Sequence, residues 1–84
     1  MAPRINKREE ERLKPFRKKL RELREEQGLS QRELSSKCDV KHTKISQLEI
    51  NDKSNLNLTT LFELARGLNV HPKELIDYEF DFID

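Results

Sequence analysis

Eighty-four residues, 33% apolar and 39% charged, are enough for one small core and exclude a second domain that would bind an effector. No apolar run approaches the ~18 residues that span a bilayer, and the opening MAPRINKREEERLK is charged where a signal peptide would be apolar, so a cytoplasmic protein with no membrane partner is expected. One cysteine and two histidines leave neither an internal disulfide nor a closed zinc site of the usual ligand sets. The net charge of +1 is unevenly spread: residues 1–24 hold ten Lys/Arg against four Glu, residues 25–73 seven of each sign, and residues 74–84 five carboxylates and no cation. A basic front suits a polyanion, although solvated helix faces commonly carry such runs.

Leu13, Phe16, Leu20 and Leu23 recur at spacings of three and four, which places them on one face of a first helix with Arg17, Lys18, Lys19, Arg21 and Arg24 around the rest. Because proline is best tolerated in a first turn, Pro15 predicts a packed helix from about Lys14, with residues 1–14 as a basic arm or kinked helical extension. Gly28 is suited to end it in the left-handed conformation. Ser30 and Glu33 form an S-x-x-E capping box that predicts a second helix over 31 to about 37, with Leu34 and Cys38 facing inward. After a turn over 38–41 a third helix is expected from about His42 to Ile50, burying Ile45 and Leu48 and presenting His42, Thr43, Ser46 and Gln47.

Residues 51–57 are polar and aperiodic. Leu58, Leu61, Leu64, Ala65 and Leu68 then describe a fourth helix ended by Asn69, and His71, Pro72 and Glu74 open a short fifth that carries Leu75 and Ile76 into the core. Within the acidic tail of residues 78–84, Tyr78-Glu-Phe-Asp-Phe alternates apolar with acidic side chains, the period of a strand, although five residues form no sheet alone and the pattern equally fits a frayed tail.

Two short helices joined by a tight turn and backed by further helices project one helix far enough to enter a major groove. Leu20-x-x-Leu23-Arg24, Gly28-Leu29-Ser30-Gln31-x-Glu33-Leu34, Ile45-x-x-Leu48-Glu49 and Leu61-x-x-Leu64-Ala65-x-x-Leu68-x-Val70 resemble the Cro/C1-type (XRE) helix-turn-helix family. The resemblance implies an all-α, five-helix, lambda-repressor-like domain over 15–77 with a short C-terminal extension, a candidate dimerisation strand. It implies base contacts from His42, Thr43 and Gln47 with Lys44 and Ser46 beside them, and phosphate contacts from Gln31, Lys53, Ser54 and Asn57. It also pairs Arg24 with Glu49 as a structural ion pair between the first and third helices. Where the family usually has glycine, Asp39 and Asn51 stand, side chains that tolerate a left-handed backbone. Lys41 replaces a small capping residue and can instead meet phosphate.

Plainer roles stand beside these. Cys38 reads as a small buried hydrophobe, His71 as a cap, and His42 equally as an exposed side chain. Tyr78, Phe80 and Phe82 either pack on their own domain or pair with a second copy; the second is preferred because one helix-turn-helix covers only a half-site, and the fifth helix is the other candidate surface for that pairing. The expected function is a sequence-specific transcriptional regulator, most simply a repressor, that binds a palindromic site in double-stranded DNA as a homodimer. The alternatives are an antitoxin whose acidic tail meets a toxin or other protein partner, or an adaptor that binds protein with the same fold. No nucleophile–base pair, phosphate loop or metal cluster is recognisable, so neither an enzyme nor a cofactor is expected.

Overall fold

A computed structural model describes residues 7–50 and 54–80. Among them the chain forms α1 (Lys7–Glu26), α2 (Gln31–Ser36), α3 (His42–Ile50), α4 (Leu58–Leu68) and α5 (Lys73–Ile76), with no strand. α3 packs against both α1 and α2, α4 lies on α2, and α5 closes the far side against α1 and α4.

α1 starts at Lys7, earlier than the expected Lys14, and carries Pro15 inside it, so residues 7–14 take the form of a helical extension. A proline forfeits the backbone bond to the carbonyl four residues back; here that is Glu11, an exposed residue whose carboxylate pairs with Lys14 at 3.0 Å. Glu9 and Glu10 in the first turn and Arg24 in the last complement the helix dipole. Phe16 and Leu20 are fully buried, with Leu13 and Leu23 half-buried at the edges of the stripe. Arg17 departs from its expected place on the outside, being only 6% exposed.

The helix stops in a Schellman pattern: Leu29 N–H donates to Arg24 O at 3.1 Å and Gly28 N–H to Glu25 O at 2.9 Å, with Gly28 at φ 68°. α4 stops the same way, through Val70 N–H to Ala65 O and Asn69 N–H to Arg66 O, with Asn69 at φ 56°.

Ser30 Oγ accepts from Glu33 N–H at 3.0 Å while Glu33 Oε1 accepts from Ser30 N–H at 2.9 Å, the two halves of a capping box. Those bonds from Ser30 hold the Glu33 carboxyl below the usual carboxylate range. The turn into α3 differs from expectation at Asp39, since Asn69 is the only non-glycine with positive φ among the described residues. Bonds from outside fix this turn instead: Asp39 N–H donates to Glu63 Oε1 on α4 at 2.8 Å, and Ser35 Oγ donates to Val40 O at 2.7 Å. Glu63 also accepts from Arg66, and the two partners lower its pKa, Arg66 chiefly. Asn51 lies outside the described residues.

α4 buries Leu61, Leu64, Ala65 and Leu68. Leu58, expected in that stripe, is 68% exposed because it opens the helix beyond the edge of the core. Gly67 allows α2 to come close: a Cβ there would stand 2.9 Å from Leu34 Cδ1 and 3.0 Å from Cys38 Cβ. Cys38 follows the end of α2 and is half-buried, and burial raises its thiol pKa. On α5 Leu75 is fully buried, whereas Ile76 points outward, since a four-residue helix presents only one side to the core. His71 Nδ1 accepts from Lys73 N–H at 3.1 Å, a capping contact one residue before Pro72. Tyr78 packs on its own core, where burial raises its phenol pKa, and its ring lies 4.7 Å from that of the exposed Phe80. Residues 78–80 form no strand within the chain itself; Phe82 is outside the described residues.

Candidate nucleic-acid interface

Nine residues give α3 two and a half turns, of which Ile45, Leu48 and Glu49 form the buried back. The opposite side carries the exposed Thr43, Gln47 and Ile50, flanked by the half-buried His42 and Ser46. Thr43, Ser46, Gln47 and Ile50 fall within one sector at 100° per residue, a continuous strip of hydroxyl, amide and methyl groups about 10 Å long. Those groups supply donors, acceptors and apolar contacts of the kinds that read base edges.

Besides the two apolar side chains behind it, α3 is held by ions and polar groups. Arg24 meets Glu49 side-on, Nε to Oε2 at 2.6 Å and Nη2 to Oε1 at 2.9 Å, and its third nitrogen donates to Leu29 O at 2.7 Å. The Glu49 side chain is 1% exposed, and its bond to Arg24 raises the guanidinium pKa further. Gln31 Nε2 donates to Glu49 Oε1 at 3.2 Å. One carboxylate thus ties together α1, the start of α2 and α3, in a low-dielectric setting where leaving either charge unpaired is costly.

A second arginine meets the end of α3. Arg17 Nη1 donates to Leu48 O at 2.9 Å and to Gln47 O at 3.4 Å, while Nη2 donates to Ser54 O at 2.7 Å. Those first two carbonyls belong to the last turn, where an α-helix has no internal donors left. Lys44 is also engaged here: Nζ donates to Ser54 Oγ at 3.1 Å and Asn55 O at 3.2 Å. It sits on the flank of α3 and braces the following segment, a different placement from the base-reading one expected of it.

The expected phosphate contacts are spread around this strip. Lys41 is exposed immediately before α3, and its carbonyl accepts from Ile45 N–H. Gln31 opens α2 with its amide turned to Glu49. Ser54 is half-buried between Arg17 and Lys44, and its hydroxyl, accepting from Lys44, keeps its own proton to donate. Asn57 is the N-cap of α4, Oδ1 accepting from Thr60 N–H at 2.8 Å, which leaves its amide nitrogen to donate to another partner. Lys53 lies outside the described residues.

Arg17 and Ile50 are the two residues that sequence reasoning passed over. Arg17 follows Leu13 by four and precedes Leu20 by three, so the spacing that marks the apolar stripe includes it. Ile50 was assigned only as the end of a helix, yet it stands on the exposed strip with 70% of its surface open.

Comparison with known proteins gives a consistent result. A profile of the helix-turn-helix family matches residues 20–75. The Control protein C.BamHI of Bacillus amyloliquefaciens is 33% identical over 64 residues, which cover 75% of this chain and 78% of that protein. Among solved structures, the restriction-modification controller protein C.AhdI from Aeromonas hydrophila is similar with a TM-score of 0.70 and 33% identity, over 75% of this chain and 94% of that one. C.Esp1396I bound to a 19 base pair DNA duplex is similar with a TM-score of 0.71 and 27% identity, over 79% of this chain and 87% of that one. A profile match that runs from α1 to α5, together with this relative, assigns the chain to its family: it belongs to the helix-turn-helix family.

Proposed function

We propose that the protein is a sequence-specific transcriptional regulator of the restriction-modification controller type, acting in the cytoplasm as a homodimer on a palindromic site in duplex DNA. The observation that carries the reading is the polar outer strip of α3, fixed from behind by a buried ion pair and free of any internal partner for its Thr43 and Gln47 side chains among the bonds described. The names of the similar proteins support the same assignment: C.BamHI is a control protein, C.AhdI and C.Esp1396I are restriction-modification controller proteins, and C.Esp1396I is seen on a DNA duplex.

In this reading α3 lies in the major groove. Gln47 pairs with an adenine edge, Thr43 and Ile50 meet thymine methyls, and His42 and Ser46 reach neighbouring bases. Lys41, Lys53, Ser54 and the amides of Gln31 and Asn57 hold phosphates, and Lys44 acts behind Ser54. A half-site alone gives too few contacts for operator affinity, so two copies are required. Leu58 and Phe62, one turn apart on α4 and 68% and 53% exposed, offer the apolar surface for that pairing.

The test is selection of bound duplexes from a randomised pool at near-physiological salt, where non-specific binding is weak. An enriched inverted repeat with half-sites about one helical turn apart is expected. A folded protein that enriches no sequence would instead point to an adaptor that uses the same helices on a protein partner.

A further inference from the structure

We infer that Arg17 is a positioning residue for base reading: by joining the last turn of α3 to the backbone at residue 54, it sets the angle at which the recognition strip meets the groove. This rests on the DNA-binding reading above and extends it to a side chain with no place on the contact surface.

The geometry carries the argument. Arg17 is 6% exposed and comes from α1, behind the helix it serves. Its guanidinium forks: one nitrogen meets the carbonyls of Leu48 and Gln47, the other the carbonyl of Ser54. Both ends of that fork support residues assigned to DNA. Gln47 is the proposed adenine reader, and Ser54 is a proposed phosphate contact that Lys44 also holds, through Oγ. A planar, rigid donor set fixes the separation and direction of two acceptors at once, which a flexible ammonium or an apolar side chain cannot do. The positive charge also lies at the negative end of the α3 dipole.

Stability alone is a weak reason for such a residue. Desolvating a guanidinium is expensive, and buried ionic groups can often be replaced by well-packed apolar ones at little loss. What the apolar replacement would not reproduce is the directional link between the reading helix and the phosphate-binding segment. Arg17 also lies outside the segment that the family profile matches, which begins at residue 20.

The experiment compares wild type, Arg17→Met and Arg17→Lys. Affinity is measured on the duplex recovered by selection and on a shuffled duplex of the same composition, across a salt series and below the melting temperature of each variant. Arg17→Met is expected to lose about tenfold on the selected duplex, the scale of one disturbed base contact, and much less on the shuffled duplex, with a salt slope near wild type because the Arg17 charge itself meets no phosphate. Arg17→Lys, which can satisfy one arm of the fork, is expected to fall between the two. A residue that only stabilises the fold would weaken both duplexes in proportion, so a ratio of affinities equal to wild type in Arg17→Met overturns the proposal. Should Arg17→Met not fold, Arg17→Lys decides: a reduced ratio supports the clamp and an unchanged one overturns it. A wild-type protein that binds neither duplex overturns the DNA-binding reading together with the clamp.

Discussion

α3 and α4 are similar in length and lie on the same small core, yet they are held in different ways. α4 buries Leu61, Leu64, Ala65, Gly67 and Leu68 and is closed at both ends by its own neighbours, Asn57 in front and the left-handed Asn69 behind. α3 buries two apolar side chains and a carboxylate, and its last turn is closed by an arginine from α1. Apolar burial is strong but without direction, so it fixes that a helix is docked better than how it is rotated. Charge-assisted hydrogen bonds have direction. α4 is secured by the first, whereas α3, which in the proposed reading presents Thr43 and Gln47 at a defined angle, is secured by the second as well.

The comparison is tested most severely at Arg24. Arg24→Met leaves Glu49 buried and unpaired, and chemical denaturation should register a loss of about 3–5 kcal/mol. Adding Glu49→Leu should recover a large part of that stability without recovering sequence-specific binding. If the double variant bound its site normally, directional anchoring of α3 would not matter. Leu64→Ala probes the other kind of attachment. It should cost about 2–5 kcal/mol of stability, while the protein that remains folded keeps its ratio of specific to non-specific affinity; a changed ratio would erase the distinction between the two helices. On the reading face itself, Gln47→Ala should leave the melting temperature near wild type and relax preference at one or two base pairs by about 1–3 kcal/mol. Binding assays on single-base variants of the site measure this directly.

A smaller effect comes from the end of the molecule that is stabilised locally. Ser30→Ala removes one side of the capping box and should lower stability by about 1 kcal/mol. Glu33 contributes with a definite pH dependence, because its carboxyl is held below the ordinary value by Ser30. Its stabilisation is full above the unfolded-state carboxylate pKa and is lost as pH falls through the lower, folded one. Melting curves of Glu33→Gln and wild type should therefore differ at neutral pH and converge in acid.

Such local devices are also what made the fold legible in the sequence. Ser30, Glu33, Gly28 and Asn69 act within a few residues of themselves, and each marks a helix end where the structure has one. The linked motifs from Leu20 to Val70 carried the family and with it the order of all five helices. Interactions between distant residues were less visible. Arg17 was lost among neighbouring cations because its acceptors lie thirty or more residues away, although its spacing from Leu13 and Leu20 set it on the buried face. Asp39 was read by analogy with glycine, whereas its N–H is held by Glu63 from α4. Pro15 was taken as a beginning because propensity says nothing of how cheaply an exposed helical turn gives up one backbone bond.

The finest test concerns Ile50, at the end of the recognition strip. A large aliphatic side chain left 70% exposed there is costly to hydrate and gains by meeting an apolar group on the partner. In a major groove the only such group on a base pair is the thymine 5-methyl. Replacing thymines by uracils one at a time in the selected site deletes that methyl and keeps every hydrogen-bonding group of the base. At one position in each half-site the wild-type protein should lose about 0.8 kcal/mol, the worth of one buried methylene-sized group. Ile50→Ala should bind the unmodified site correspondingly less well and be indifferent to uracil at that same position, so the two losses do not add. Additive losses would mean that Ile50 and the methyl never touch, and would leave the exposed end of α3 to the contact between the two copies.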